Sequence, residues 1–319
     1  MNLQTKIKLK PNQFNQIDYN SKVLLLGSCF SEHIGDKFEY FKFQQLQNPF
    51  GILFHPLAIE NLITNAINKK EYTKDDLFFN NEQWHCYDAH SRLSNTSETQ
   101  LLQDLNDAIN TTHQFINDAS HIVITLGTAW AYRFIETDEF VANCHKIPQK
   151  KFLKELLSVE DISESLEGIM NLVKSINPKV IFTFTVSPVR HIKDGFVENM
   201  QSKSHLITAI HNVISDCSLS KAEAYFPSYE IMMDELRDYR FYNEDMLHPN
   251  NTAVNYIWDR FAEVWISEET KETMHTIEEI QKGMAHRSFN PNSEAHSSFL
   301  LHLNDKKTLV NSRFPHIVF

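Results

Sequence analysis

KVLLLGSCFS, residues 22–31, joins an uninterrupted apolar run to a glycine and then to small polar residues. A continuous apolar run of this kind suits a strand buried on both faces, as in a parallel sheet covered by helices. Gly27 marks the point where such a strand hands over to a loop. The pattern recurs at His121–Leu126 (HIVITL), which runs into Gly127, at Lys179–Val186 (KVIFTFTV), and more weakly at Glu223–Pro227 (EAYFP). Between these runs, Ser31–Tyr40, Pro56–Asn68, Ser97–Ala119, Val159–Ser175, Asn199–Ser215 and Asn250–Ser267 carry helical spacing. Strand-then-helix alternation predicts an α/β fold, a three-layer α/β/α sandwich around a central, mostly parallel sheet. Leu77–Ser94 interrupts the alternation and reads as a loop-rich insertion.

The α/β pattern fills residues 1–267, and the character of the chain changes after Ser267. Glu268–Met284 reads as one charged helix, and Ala285–Phe319 shows no clear period. That last stretch still carries Phe289, Phe299, Leu300, Leu301, Leu309, Val310, Phe314 and Ile317. Disordered tails are depleted in such residues, and so short a segment cannot readily build its own core. Residues 268–319 are therefore expected to form a helical and irregular extension packed on the α/β domain.

Composition narrows the function classes. Hydrophobic residues make up 42% and charged residues 22% of the 319, which excludes wholesale disorder. Asp and Glu outnumber Lys and Arg by 41 to 30, a net charge of −11, and no basic run offers a footprint for nucleic acid. The polar N-terminus has no signal-peptide core, and no apolar stretch reaches the roughly 18 residues needed to span a bilayer. A cytoplasmic protein with no membrane partner is expected. Cys29, Cys86, Cys144 and Cys217 are widely spaced, which argues for free thiols. His85, Cys86, His90, Cys144 and His145 match no standard zinc spacing, so neither metal nor cofactor is expected. Oligomeric state is not legible.

In an open parallel sheet the site lies at the carboxyl ends of the strands. The polar segments that follow the predicted strands are Gly27-Ser28-Cys29-Phe30-Ser31, Gly127-Thr128-Ala129-Trp130 and Ser187-Pro188-Val189-Arg190-His191, with Asp245-Met246-Leu247-His248-Pro249-Asn250 before the last helix. A thiol at the start of a helix faces unpaired N–H groups, so Cys29 is expected to titrate below the free-thiol value of about 8.5. Its bland alternative is a small buried hydrophobe. Asp245 and His248 can share a hydrogen bond that leaves the other imidazole nitrogen for a nucleophile. An ordinary polar loop before a helix has the same spelling. Ser28 and Cys29 leave the strand on opposite sides, so only one can face His248. Arg190 and His191 stand where a substrate anion or carbonyl could be held, with a plain loop as the alternative. Trp130, Tyr132 and Phe134 read as core and cleft wall.

Taken together, Gly27-Ser28-Cys29-Phe30, Asn48-Pro49-Phe50-Gly51, Leu126-Gly127-Thr128-Ala129-Trp130, Asn143-Cys144-His145-Lys146-Ile147-Pro148 and Ser187–His191 resemble the motifs of the GSCFA family. With the terminal Asp245-x-x-His248-Pro249-Asn250, they also resemble the wider SGNH (GDSL-like) hydrolases, with which that family is grouped. The likeness runs from about Ser21 to Ile266 and implies a flavodoxin-like sandwich. By motif position, the SGNH nucleophile falls on Cys29 rather than Ser28, the acid and base on Asp245 and His248, and the oxyanion-hole glycine on Gly51. Gly127, His145, Arg190 and His191 join the oxyanion or substrate-binding set. Where SGNH enzymes carry a third-block asparagine this chain has Ala129, and Asn48 or Asn143 are the candidates to replace that amide. The resemblance implies an acyl-ester hydrolase or acyltransferase working through a covalent acyl-enzyme, without a cofactor, on a small-molecule or carbohydrate ester. The alternatives are a binding protein that kept the fold and lost efficient catalysis, or a thiol redox or metal protein.

Overall fold

The computed structural model describes residues 5–12, 14–215 and 224–319; Cys217 and Glu223, both named above, lie outside them. The chain starts with β1 (Lys22–Gly27), α1 (Cys29–Tyr40), β2 (Gln44–Gln47) and α2 (Pro56–Ile67). A hairpin of β3 (Leu77–Asn80) and β4 (Gln83–Cys86) precedes α3 (Glu98–Asp118) and β5 (His121–Leu126). Next come β6 (Trp130–Phe134), β7 (Glu139–Val141), β8 (Phe152–Leu156), α4 (Val159–Ile176), β9 (Ile181–Val186) and α5 (Phe196–Ser215). The chain ends with β10 (Ala224–Phe226), the short α6 (Ser228–Glu230), α7 (Asn251–Trp265), α8 (Glu268–Ala285) and α9 (Glu294–Arg313).

A five-stranded sheet in the order β10-β9-β5-β1-β2 is parallel throughout. Alternate residues of its apolar strands feed two separate cores, as the period of a strand requires. Leu24 and Leu26 of β1, Ile122 and Ile124 of β5, and Phe182 and Phe184 of β9 pack with α2, α3, α4 and α5. Val23, Leu25, Val123 and Ile181 point the other way, against α1, α7 and α8. Helices therefore cover both faces, the three-layer arrangement that the unbroken apolar runs predict. The register sets Gly27 beside Thr125 and Leu126 beside Val186, so the loops leaving β1, β5 and β9 are neighbours.

Three segments differ from the sequence reading. Leu77–Ser94 is not loop alone, because β3 and β4 pair antiparallel across a tight turn at Asn81 and Glu82. Trp130–Leu156 makes an antiparallel three-stranded excursion, order β7-β6-β8, with Phe134, Val141 and Phe152 as its own small core. The C-terminal stretch is more regular than expected, since Ser293 caps α9 by accepting from His296 N (3.1 Å). The apolar residues of α9 lie on more than one face, which hides the period. Leu303 and Val310 are buried in the core with α7 and α8, while Leu300, Leu301 and Leu309 are exposed. Ile317, beyond the helix, is buried in the same core, and the Phe314 ring lies 4.9 Å from Tyr19.

Candidate functional site

The turn after β1 is built on glycine for a steric reason. Gly27 has φ +131°, and a Cβ there would lie 2.1 Å from the Thr125 carbonyl oxygen. The tight turn lets Ser28 cap α1, its Oγ accepting from Phe30 N at 3.3 Å. Ser28 is completely buried in that role, whereas Cys29, the first helical residue, is half-buried and presents its thiol. Of the two candidate nucleophiles, Cys29 is the less buried, and it packs partly against the core with α1 and α7.

The thiol's titration is the reverse of the sequence expectation. Burial, and then the Glu32 carboxylate one turn along α1, push the Cys29 pKa up. The Lys203 ammonium and the N–H groups of Cys29 and Phe30 pull it down without prevailing. A helix N-terminus favours a thiolate, but desolvation acts against any anion and is the larger effect here.

Asp245 and His248 meet as their spacing suggests. His248 Nδ1 lies 2.6 Å from Asp245 Oδ2, and Asp245 Oδ1 accepts from the N–H groups of Leu247 (2.8 Å) and His248 (3.0 Å). These bonds, those from His248 and Leu247 N–H first, hold the Asp245 carboxyl down at about 2. Both side chains are well exposed. Among the described residues no hydrogen bond joins His248 to the Cys29 sulfur; His248 exerts its charge on His33 and His191.

Arg190 does something other than await a substrate anion. Its backbone N–H donates to Leu247 O (3.3 Å), and its Nη2 donates to Met246 O. The guanidinium lies 4.6 Å from the Tyr242 ring and 5.3 Å from that of Tyr239. Both its charge and its plane are engaged in fastening the His248 loop to the end of β9.

His191 borders the turn that carries the candidate nucleophiles. A Cβ on Gly127 would sit 3.3 Å from His191 Nε2 and 3.3 Å from Ser28 Cβ. Nε2 is buried without a hydrogen-bond partner, and burial, then the charges of Lys203 and His248, hold this imidazole down at about 3. It is a neutral ring at the edge of the reaction centre.

The oxyanion candidates sort differently from the motif alignment. The Gly51 N–H donates to Asn48 O (2.7 Å) within a turn, so it is already taken. Gly51 is needed for its φ of +72° and because a Cβ would lie 2.5 Å from His90 Cβ. Ala129 is buried, its N–H donating to Ser202 Oγ (2.7 Å). Asn48 Oδ1 accepts from Gly27 N (2.9 Å), and its buried Nδ2 has no partner. That leaves an amide donor beside the turn that carries Cys29. Asn143 and His145 belong to the excursion instead. Asn143 Oδ1 accepts from His145 N (2.9 Å), and His145 Nε2 pairs with Cys86 O (2.8 Å). The buried His145 ring lies tilted 4.6 Å from His85 and is held down at about 4, chiefly by burial. Among the described residues no three His, Cys, Asp or Glu side chains gather as metal ligands.

Two residues of the site escaped sequence analysis. Lys203, on α5, is 1% exposed and donates from Nζ to Gly127 O (2.7 Å) and Ser187 O (2.8 Å). It ties the loops after β5 and β9 together from below. Desolvation holds its ammonium down at about 7, opposed by attraction to Cys29. The signal was a lysine on the buried stripe Asn199, Ser202, Leu206, Ile210 and Val213. His33 lies one helical turn beyond Cys29 on the same face of α1, where residues four apart are neighbours.

Beside this centre opens a cavity of about 540 Å³ between the sheet edge and the excursion, walled in part by Phe54, Thr128, Trp130, Asn143 and His191. A sequence model described as GSCFA family matches residues 22–261 of the chain. A second, described as GSCFA domain protein, C-terminal domain, matches residues 277–319. No curated protein matches the chain.

Proposed function

The chain belongs to the GSCFA family, and from that premise we propose that it is an acyl-ester hydrolase or acyltransferase of SGNH type working through a Cys29 acyl-enzyme. The observation that carries the reading is the 2.6 Å Asp–His pair, on a loop bonded to the end of β9 through Arg190, in a chain whose half-buried Cys29 opens the helix after β1. A thiol whose pKa burial raises needs a base, and His248 Nε2 is the nitrogen left for it. Asp245 holds Nδ1–H and the tautomer.

In the first half-reaction His248 takes the thiol proton and the Cys29 sulfur bonds to the ester carbonyl carbon. The carbon–oxygen bond to the alcohol then breaks, and the departing alkoxide receives the proton from His248. In the second half, water or an acceptor alcohol gives its proton to His248 and its oxygen attacks the thioester. The carboxylic acid or new ester leaves, and the proton returns to the sulfur. The oxyanion in each half is met by Asn48 Nδ2 and the Cys29 N–H. Where protonated, Lys203 draws the thiol's pKa down.

Intact-mass analysis after exposure to a p-nitrophenyl ester tests this. The wild-type chain and Ser28→Ala should gain one acyl group, and Cys29→Ala none. Ser28→Ala losing the adduct while Cys29→Ala keeps it would move the nucleophile to Ser28. The absence of Ala129 and Gly51 donors favours a second reading, a binder without turnover, which predicts no adduct in any form.

A further inference from the structure

Many of the polar atoms in the walls of the cavity beside the reaction centre are already bonded inside the protein. Thr128 Oγ1 pairs with Ser202 Oγ (3.1 Å) and accepts from Trp130 N (3.0 Å). Trp130 Nε1 donates to Glu198 O (3.3 Å), and the Tyr132 hydroxyl accepts from Gln149 (3.4 Å). Asn143 Oδ1 is used by His145 N, the His55 ring nitrogens are used by Val141 O and Ala58 N, and Asp194 is paired with Lys154. Much of what remains facing the space is ring and aliphatic surface, with Asn143, Gln149, Lys146 and Lys193 as the polar exceptions. Phe54, Trp130, Tyr132, Ala142 and Ile147 are each half-buried lining residues, the Lys154 ammonium lying 4.7 Å from the Trp130 ring.

Among the described lining residues, the buried ring nitrogen without a partner is His191 Nε2, and it stands at the end next to Gly127 and Ser28. Lys146 and Lys193 are exposed lining residues. The volume lies within the range of about 300–1,000 Å³ usual for small-molecule sites. A sugar ring placed here could reach Asn143, Gln149 and the two lysines with some of its hydroxyls, but would set the others against ring and aliphatic surface, where an unsatisfied hydroxyl is costly. An alkyl chain would instead remove bare ring and aliphatic surface from water.

We propose that this cavity holds the apolar acyl chain of the substrate, with the scissile carbonyl at the His191 end, within reach of Cys29. The proposal rests on the acyl-transfer reading above, since it assigns the acyl side of that same site. It makes the substrate an ester of a chain longer than acetate, whatever alcohol it carries.

The test is the rate of Cys29 acylation by p-nitrophenyl esters from acetyl to decanoyl, in wild type and in Ala142→Trp. Each methylene drawn into the cavity should raise the wild-type rate about fourfold until the space is filled. Ala142→Trp should bring the decanoyl-to-acetyl ratio down toward one. A flat wild-type series would overturn the proposal, as would a variant that slows every chain alike, or faster reaction with hydroxylated acyl groups. Where Ala142→Trp fails to fold, judged by its melting curve, Ile147→Trp blocks the space from another wall. Binding of a dansyl-labelled fatty acid to Cys29→Ala, with and without the blocking residue, reads the cavity without turnover. If no ester acylates Cys29 yet the fatty acid binds and is displaced by the block, the catalytic reading fails and the cavity assignment stands. If acylation proceeds at one rate for all chains and no fatty acid binds, the cavity assignment fails and the catalytic reading stands.

Discussion

The floor of the site and the loop that carries His248 are built by opposite means. The floor, formed by Gly27, Ser28, Gly127 and Lys203, is set in the core, where close backbone approach leaves no alternative arrangement. The Asn243–His248 loop is exposed and keeps its shape through short local bonds, Asn243 N to His248 O (2.8 Å) and Met246 N to Asn243 O (2.9 Å), and through Arg190. Chemistry on the floor is therefore coupled to folding, whereas chemistry on the loop is not. Substitutions in the two regions should fail in different ways.

The sharpest break comes from the loop. His248→Ala removes the proposed base, and general acid–base catalysis contributes about 10²–10⁴-fold. Acylation of Cys29 by an activated ester should fall by that order while the melting temperature stays within error, because the imidazole is well exposed. A variant that acylated at the wild-type rate would remove His248 from the mechanism.

The floor should respond in pH rather than in a single rate. In the folded chain burial holds Lys203 at about 7, against about 10.4 for a solvated lysine. Between those values the unfolded chain keeps a proton that the folded chain has released. Folded stability therefore rises with pH across that window, and below it the buried charge costs stability. Lys203→Met should flatten this rise in denaturant titrations. Identical stability slopes in the two proteins would make Lys203 a plain structural residue.

The same division explains what the sequence revealed. β1, β5 and β9 were legible because both faces are covered, and their apolar runs are unbroken. Cys29 and the Asp245–His248 pair were legible as local spellings. The edge strand β2, Gln44-Gln-Leu-Gln47, was not; its pairing with β1 is long-range, and its composition is that of a polar linker. The Trp130–Leu156 excursion was missed because its strands follow β5 with no helix between them. The direction of the Cys29 shift was misread because desolvation and the field of Glu32 depend on packing, while a helix start can be seen in sequence. Gly51 matched an oxyanion-hole glycine in spelling, yet its N–H closes a turn on Asn48. Lys203 showed only as a charge on a buried stripe, and its two carbonyl partners come from loops far away in the chain.

The smallest expected effect tests how the two regions are joined. Arg190 leaves the β9 end and grips the loop through Met246 O, Leu247 O and the rings of Tyr239 and Tyr242. Arg190→Lys keeps the charge and the backbone bond but loses the planar stacking and the reach of Nη2. Cation–ring contacts at exposed positions are worth about 0.5–1 kcal/mol, so His248 should spend less time in its working position and acylation should slow about two- to fivefold. The alkylation profile of Cys29 should not move, because Arg190 is absent from the charges that act on that thiol. A loss as large as that of His248→Ala would mean that Arg190 meets the substrate directly. No change at all would show that the loop's own turn bonds suffice to hold His248 in place.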